Sequence, residues 1–129
     1  MIAIGIGAHS AVTDTDILAA VVSIASSVDL NANTLATFDT APFAGAVKSI
    51  AEGAGYAFIA MPIASLEARA SECQTRSQRS LDATGVPSIA EAAALAAAGP
   101  GSRLVVARLI CGKVTAAAAQ SADHAERGP

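Results

Sequence analysis

Arg76 and Arg79 stand just before the stretch ATGVPSIAEAAALAAAG (83–99), and Arg108 follows it. A guanidinium group presents forked donors that match a carboxylate. Two of them in one polar segment ahead of a helix N-terminus, where amides and the helix dipole also favour anions, suit a ligand with several carboxylates. Thr84 and Gly85, together with the first amides of the helix, would complete that anion site. Ser88-Ile89-Ala90-Glu91 also has the spacing of a capping box. The Ser88 hydroxyl would accept from the Glu91 amide, and the Glu91 carboxylate from the Ser88 amide. That pattern explains both polar residues without a ligand, so Ser88 and Glu91 are read as mainly structural while standing beside the candidate site.

Other chemistries find less support. Gly5-Ile6-Gly7 lacks the third glycine of a dinucleotide fingerprint, because Ser stands at position 10. His9 is a candidate acid, base or metal ligand, but no second His or Cys lies near it, and His124 sits in the polar C-terminal stretch. No Ser or Cys carries a nucleophile elbow. Cys73 and Cys111 form neither a disulfide framework nor a metal cluster, and are read as free thiols of a reducing cytoplasm. No tightly bound metal or cofactor is expected.

The elements that must position these residues follow a simple order. IAIGIGA (2–8) is an apolar run consistent with a buried strand. Thr13-Asp14-Thr15-Asp16 opens a helix whose stripe runs through Ile17, Leu18, Val21, Val22, Ala25 and Val28. LATFD (35–39) is a second strand. Pro42 opens a helix through Phe43, Val47, Ile50 and Ala51 that Gly53 and Gly55 stop. YAFIAM (56–61) is a third strand, followed by a short helix over 63–70 and a polar loop or short helix over 71–82. The alanine-rich helix comes next, ended by Gly99-Pro100-Gly101. RLVVARLI (103–110), the turn Cys111-Gly112 and KVTAAAA (113–119) read as a hairpin. Strand–helix alternation implies a single three-layer α/β/α domain over 1–120, with a mostly parallel sheet, an antiparallel C-terminal hairpin and a polar tail at 121–129. Ligands in such sheets bind beyond the carboxyl ends of the strands, which places Gly7, Ala8, His9, Asp39 and the residues after Met61 at the candidate edge.

Composition narrows the classes. The 129 residues are 53% hydrophobic and 15% charged, which excludes a disordered chain. The net charge of −3 hides an asymmetry: residues 1–60 carry five acids against Lys48 alone, whereas residues 61–129 carry six acids and seven bases. An acidic ligand would favour the second half. The chain is too weakly basic, and too poor in aromatic residues, for nucleic acid. ILAAVVSIA is too short to span a bilayer, and the N-terminus lacks a basic leader region. A cytoplasmic protein, away from the membrane, is expected.

The segment 75–119 resembles the CobE family, which is also the C-terminal domain of CbiG, of cobalamin biosynthesis. The matching residues are Ser77, Gly85-Val86, Ser88 through Leu95, Arg108 and Thr115, and the N-terminal Gly-Ile-Gly followed by a helix also fits. The family's Cys-Arg-Arg turn after the first Gly-x-Gly, and its lysine after the second strand's Asp, are replaced here by Ala8-His9-Ser10 and Thr40. The resemblance implies a role in building the corrin ring by the aerobic route, as a protein that binds or carries a corrinoid or precorrin intermediate. Two alternatives go with it. One is a hydrolase or isomerase acting on a corrin intermediate, as in lactone opening by the fused proteins, with His9 or Glu91 as acid or base. The other is an accessory subunit docking on a pathway methyltransferase. The residues expected at the substrate are Gly7, Ala8, His9, Asp39, Arg76, Arg79, Thr84, Gly85, Ser88, Glu91 and Arg108.

Overall fold

A computed structural model of the chain describes residues 1–8, 12–27 and 32–122. His9, Ser10, Val28, Asp29 and the stretch from 123 onward, including His124, lie outside the described residues. Strands β1 (Ile2–Ala8), β2 (Thr34–Phe38), β3 (Ala57–Met61), β4 (Arg103–Cys111) and β5 (Val114–Gln120) form one sheet in the order β3-β2-β1-β5-β4. The helices are α1 (Asp14–Ser27), α2 (Ala44–Ala54), α3 (Ile63–Glu67), α4 (Gln78–Thr84) and α5 (Ile89–Ala98), with a 3-10 turn at Ala70–Glu72. The expected elements are present, with most ends shifted by one or two residues; the helix expected over 63–70 stops at Glu67, and the polar segment over 71–82 holds most of the 3-10 turn and most of α4. Gly53 lies inside α2, and Gly55 alone, at φ 83°, ends that helix.

The β1 sequence explains the layers. In a strand, alternate side chains face opposite ways. Ile2, Ile4 and Ile6 enter one core with Ile17, Val21 and Ile24 of α1 and Val47 of α2. The small residues between them face α5, and Ala3 packs with Ala94 and Leu95. One face of β1 is therefore bulky and the other nearly flat. A Cβ placed on Gly5 would lie 1.9 Å from the Ala90 carbonyl oxygen and 2.6 Å from the Ala94 nitrogen. The alanines of α5 thus let a helix rest almost directly on strand backbone.

The C-terminal hairpin enters the sheet through its second strand. β5 pairs antiparallel with both β1 and β4, while β1, β2 and β3 pair parallel. Valine and alanine fill β5, which is buried along nearly its whole length, whereas β4 alternates exposed and half-buried residues as the outer strand. Ser121 is buried rather than frayed, its amide donating to the Met1 carbonyl at 2.9 Å. At the far end of α5, Arg69 donates to the carbonyls of Leu95, Gly99 and Ser102 at 2.9–3.0 Å. A cation there satisfies orphan carbonyls and complements the helix dipole. Among the described residues no helix is long and apolar enough to cross a membrane.

Candidate functional site

Four pieces of chain meet at the carboxyl edge of β1 and β2. Phe38 closes β2, and Pro42 and Phe43 follow in the next turn; the two phenylalanine rings meet edge to face, with centroids 6.1 Å apart. α4 is held against the start of α5 by short-range bonds. Its N-cap Ser77 accepts from the Ser80 amide at 3.3 Å, the Ser77 amide donates to the Pro87 carbonyl at 2.9 Å, and the Ser80 hydroxyl donates to the Val86 carbonyl at 2.6 Å. Gly85, at φ 79°, caps α4 in the left-handed region that suits glycine. Thr115 of β5 ties its hydroxyl to the Gly7 carbonyl at 3.2 Å.

Between these pieces lies a cleft of about 720 Å³. Its apolar lining comes from Phe38, Pro42, Phe43, Ala83, Ile89 and Ile110, and its hydroxyls from Ser77, Ser80, Thr84, Ser88 and Thr115. Three cations, Arg79, Arg108 and Lys113, also line it, and none of the described lining residues is acidic. Apolar side chains beside cations, with no acid among the described lining residues, suit an apolar ligand that carries anionic groups. Ile110 is 68% exposed at the rim. Among the described residues no group of three His, Cys, Asp or Glu side chains is placed to hold a metal ion.

Of the residues expected from sequence, Gly7, Ala8, Arg79, Thr84, Ser88 and Arg108 line the cleft. Asp39 and Arg76 are exposed and stand outside the lining, and Gly85 serves as the α4 cap. His9 follows directly on Ala8 and lies outside the described residues. Lys113 went unread. Its place follows only from the tertiary pairing: with β5 antiparallel to β1, Ala8 pairs with Val114 and the hairpin turn sits beside the end of β1.

The capping box needs correction. Ser88 does accept from the Glu91 amide, at 3.2 Å. The Glu91 carboxylate does not return to the Ser88 amide. It is completely buried, outside the cleft lining, and accepts from the amides of Gln74 and Thr75, the Thr75 hydroxyl and the Arg108 amide, all at 2.9–3.0 Å. The last donor is supplied by a bulge. Between Val106 and Leu109, β4 takes one more residue than β5 opposite, which turns the Arg108 amide onto Glu91. Nearby, the Cys73 thiol donates to the Ser88 carbonyl at 3.7 Å. Burial, and then the charge of Glu91, push that thiol above its ordinary pKa, so it stays protonated at neutral pH.

The chain matches the protein family described as "Cobalamin synthesis G C-terminus" over residues 2–119. It is similar to the crystal structure of the cobalamin biosynthesis protein chiG from Agrobacterium tumefaciens str. C58, with 38% identity and a TM-score of 0.77 over 95% of this chain and 100% of that one. It also shares its fold with CobE, a protein from the cobalamin (vitamin B12) biosynthetic pathway, at a TM-score of 0.83 and 22% identity over 92% of each chain. No curated protein matches the sequence.

Proposed function

We propose that this chain, which belongs to the cobalamin synthesis G C-terminus family, binds a corrinoid intermediate of that biosynthesis in the cleft between α4, α5 and the β4–β5 turn. The observation that carries the reading is the lining itself: apolar side chains, three cations and no acid among the described residues. Corrin intermediates are flat apolar rings fringed by acetate and propionate groups, so their chemistry mirrors this surface. The cleft volume falls within the roughly 300–1,000 Å³ usual for small-molecule sites. A large macrocycle would leave one side open to water, as a protein that receives and passes on its ligand requires. Binding is preferred to hydrolysis because the lining hydroxyls of Ser77, Ser80, Thr84, Ser88 and Thr115 are each bonded to backbone groups, which cannot act as the base that activates a nucleophile.

The test is a titration of the protein with cobyrinic acid, a corrinoid with free carboxylate side chains, followed by visible absorption at low and high salt. Each solvated charge-assisted contact contributes on the order of 1 kcal/mol, so Arg79→Ala with Arg108→Ala should weaken binding about thirtyfold at low salt. The deficit should shrink as salt screens the rim. Equal affinity of both proteins at both salt levels would show that these arginines do not read the carboxylates.

A further inference from the structure

Among the described residues Glu91 is the acid that solvent does not reach, at 0% exposure, and the cleft reading leaves its carboxylate unused. It sits in the first turn of α5, one step behind Ser88 and Ile89, which do line the cleft. Its four donors come from two separate segments. Gln74 and Thr75 lead into α4, whose cap Ser77 and first-turn Arg79 form one wall. The Arg108 amide belongs to the β4 bulge, whose side chain forms the other wall. The donors are amides and a hydroxyl, so the carboxylate is not placed to neutralise a cation. A residue needed only to start α5 would have bonded the Ser88 amide and touched neither wall.

We propose that Glu91 is a positioning residue for the cleft: from behind, it fixes the separation between the Arg79 arm and the Arg108 arm, and hence the spacing of ligand carboxylates that the cleft accepts. This rests on the ligand reading above. The device depends on a carboxylate, because both oxygens are used as acceptors. A glutamine of the same shape keeps one acceptor oxygen and turns its N–H donors either toward the Gln74 and Thr75 amides or toward the Arg108 amide, so the amide bonds of one arm are lost while α5 keeps its Ser88 cap.

The experiment has two readouts on Glu91→Gln. In the free protein, amide hydrogen exchange should quicken at least tenfold at Arg108, or at Gln74 and Thr75, while α1 amides keep their rates. Unchanged protection at all three amides overturns the proposal whatever the ligand. In titrations with cobyrinic acid, Glu91→Gln should bind about tenfold more weakly than wild type, but less than twofold more weakly when both carry Arg108→Ala or both carry Arg79→Ala, whichever arm was released. Residues that act through one another are non-additive in this way. A full tenfold loss in both backgrounds would show that Glu91 acts through neither arginine and overturns the proposal. Thr75→Val provides a milder variant should Glu91→Gln fail to fold. It removes only the hydroxyl contact, and should loosen Gln74 and Thr75 and weaken binding about threefold, an effect absent in the Arg79→Ala background. If that loss persists there, or those amides stay protected, the proposal fails. A wild-type protein that takes up no cobyrinic acid removes the ligand reading and the carboxylate spacing with it. Faster exchange at one arm would even then support the coupling of that arm to Glu91.

Discussion

The helices on either side of β1 begin with the same sequence pattern and use it differently. At α1, Thr13 and Asp16 close the full reciprocal box: the Asp16 amide donates to the Thr13 hydroxyl at 3.2 Å, and the Thr13 amide donates to the Asp16 carboxylate at 3.0 Å. At α5, Ser88 and Glu91 close only half of it. Asp16 lies at the surface, where water is the competitor and the nearest amide wins. Glu91 is enclosed, and the part-buried amides of Gln74, Thr75 and Arg108 would each lose an acceptor if it turned back to Ser88. Even with each part-buried donor costing only about 1 kcal/mol when left unsatisfied, three of them outweigh one capping bond. The seats differ in the same way. α1 stands off the sheet on Ile17, Val21 and Ile24, whereas α5 lies on the glycine face of β1. A local motif thus states what a helix start can do, and its surroundings select what it does.

Substitutions at the two seats should separate them most widely. Gly5→Ala drives a methyl into the α5 backbone and should destabilise by about 3 kcal/mol or more, because neither strand nor helix backbone yields easily. Gly45→Ala in α2, where an added Cβ meets nothing within 4 Å, should be neutral or stabilise by up to about 1 kcal/mol. Denaturant unfolding of both variants measures the contrast, and comparable losses would mean that α5 is not seated on backbone.

The caps should differ less. Ser88→Ala and Thr13→Ala each remove one bond to a first-turn amide. The buried Ser88 should lose toward about 2 kcal/mol and the exposed Thr13 about 0.5 kcal/mol. A larger loss at Thr13 would reverse the ranking of the two helix starts.

The smallest effect is electrostatic and confined to α1. Hydrogen bonds from the Thr13 amide and hydroxyl hold the Asp16 carboxyl below its ordinary range. The folded-state value is thus depressed, so its contribution is present above the unfolded carboxylate pKa and is lost as pH falls through the lower folded one. Stability curves of wild type and Asp16→Asn should therefore differ at neutral pH and converge in acid. Curves that stay parallel down to the acid limit would remove the charge from the α1 cap.

Much of the site was legible because its parts are punctuated locally. The Gly85 stop, the Ser88 start and the end of β1 at Ala8 could each be read from a few neighbouring residues, and these place Thr84, Ser88, Gly7 and Ala8 around the cleft. Arg79 falls there because it lies in the first turn of α4, one residue beyond Gln78. Arg76 belongs to an aperiodic segment in which no pattern tells which way a side chain points, and it proves exposed and outside the lining. Asp39 lies in an exposed turn just past β2, while the residues that reach the cleft from that corner are the apolar Phe38, Pro42 and Phe43. Lys113 required knowing that β5 lies beside β1.

The sequence by itself determined the layers of this protein. Isoleucine alternating with alanine and glycine along β1 specifies one face for large side chains and one for a close helix, since strand side chains alternate strictly. Capping residues and glycine stops set the helices between, because those signals act over a single turn. Only the tertiary structure decided what the Glu91 carboxylate holds, which arginines face each other across the cleft, and that the outermost strand is β4. Those outcomes depend on donors and neighbours brought together from residues 74–75, 88–91 and 106–109, where burial, rather than proximity along the chain, determines which hydrogen bonds must be made.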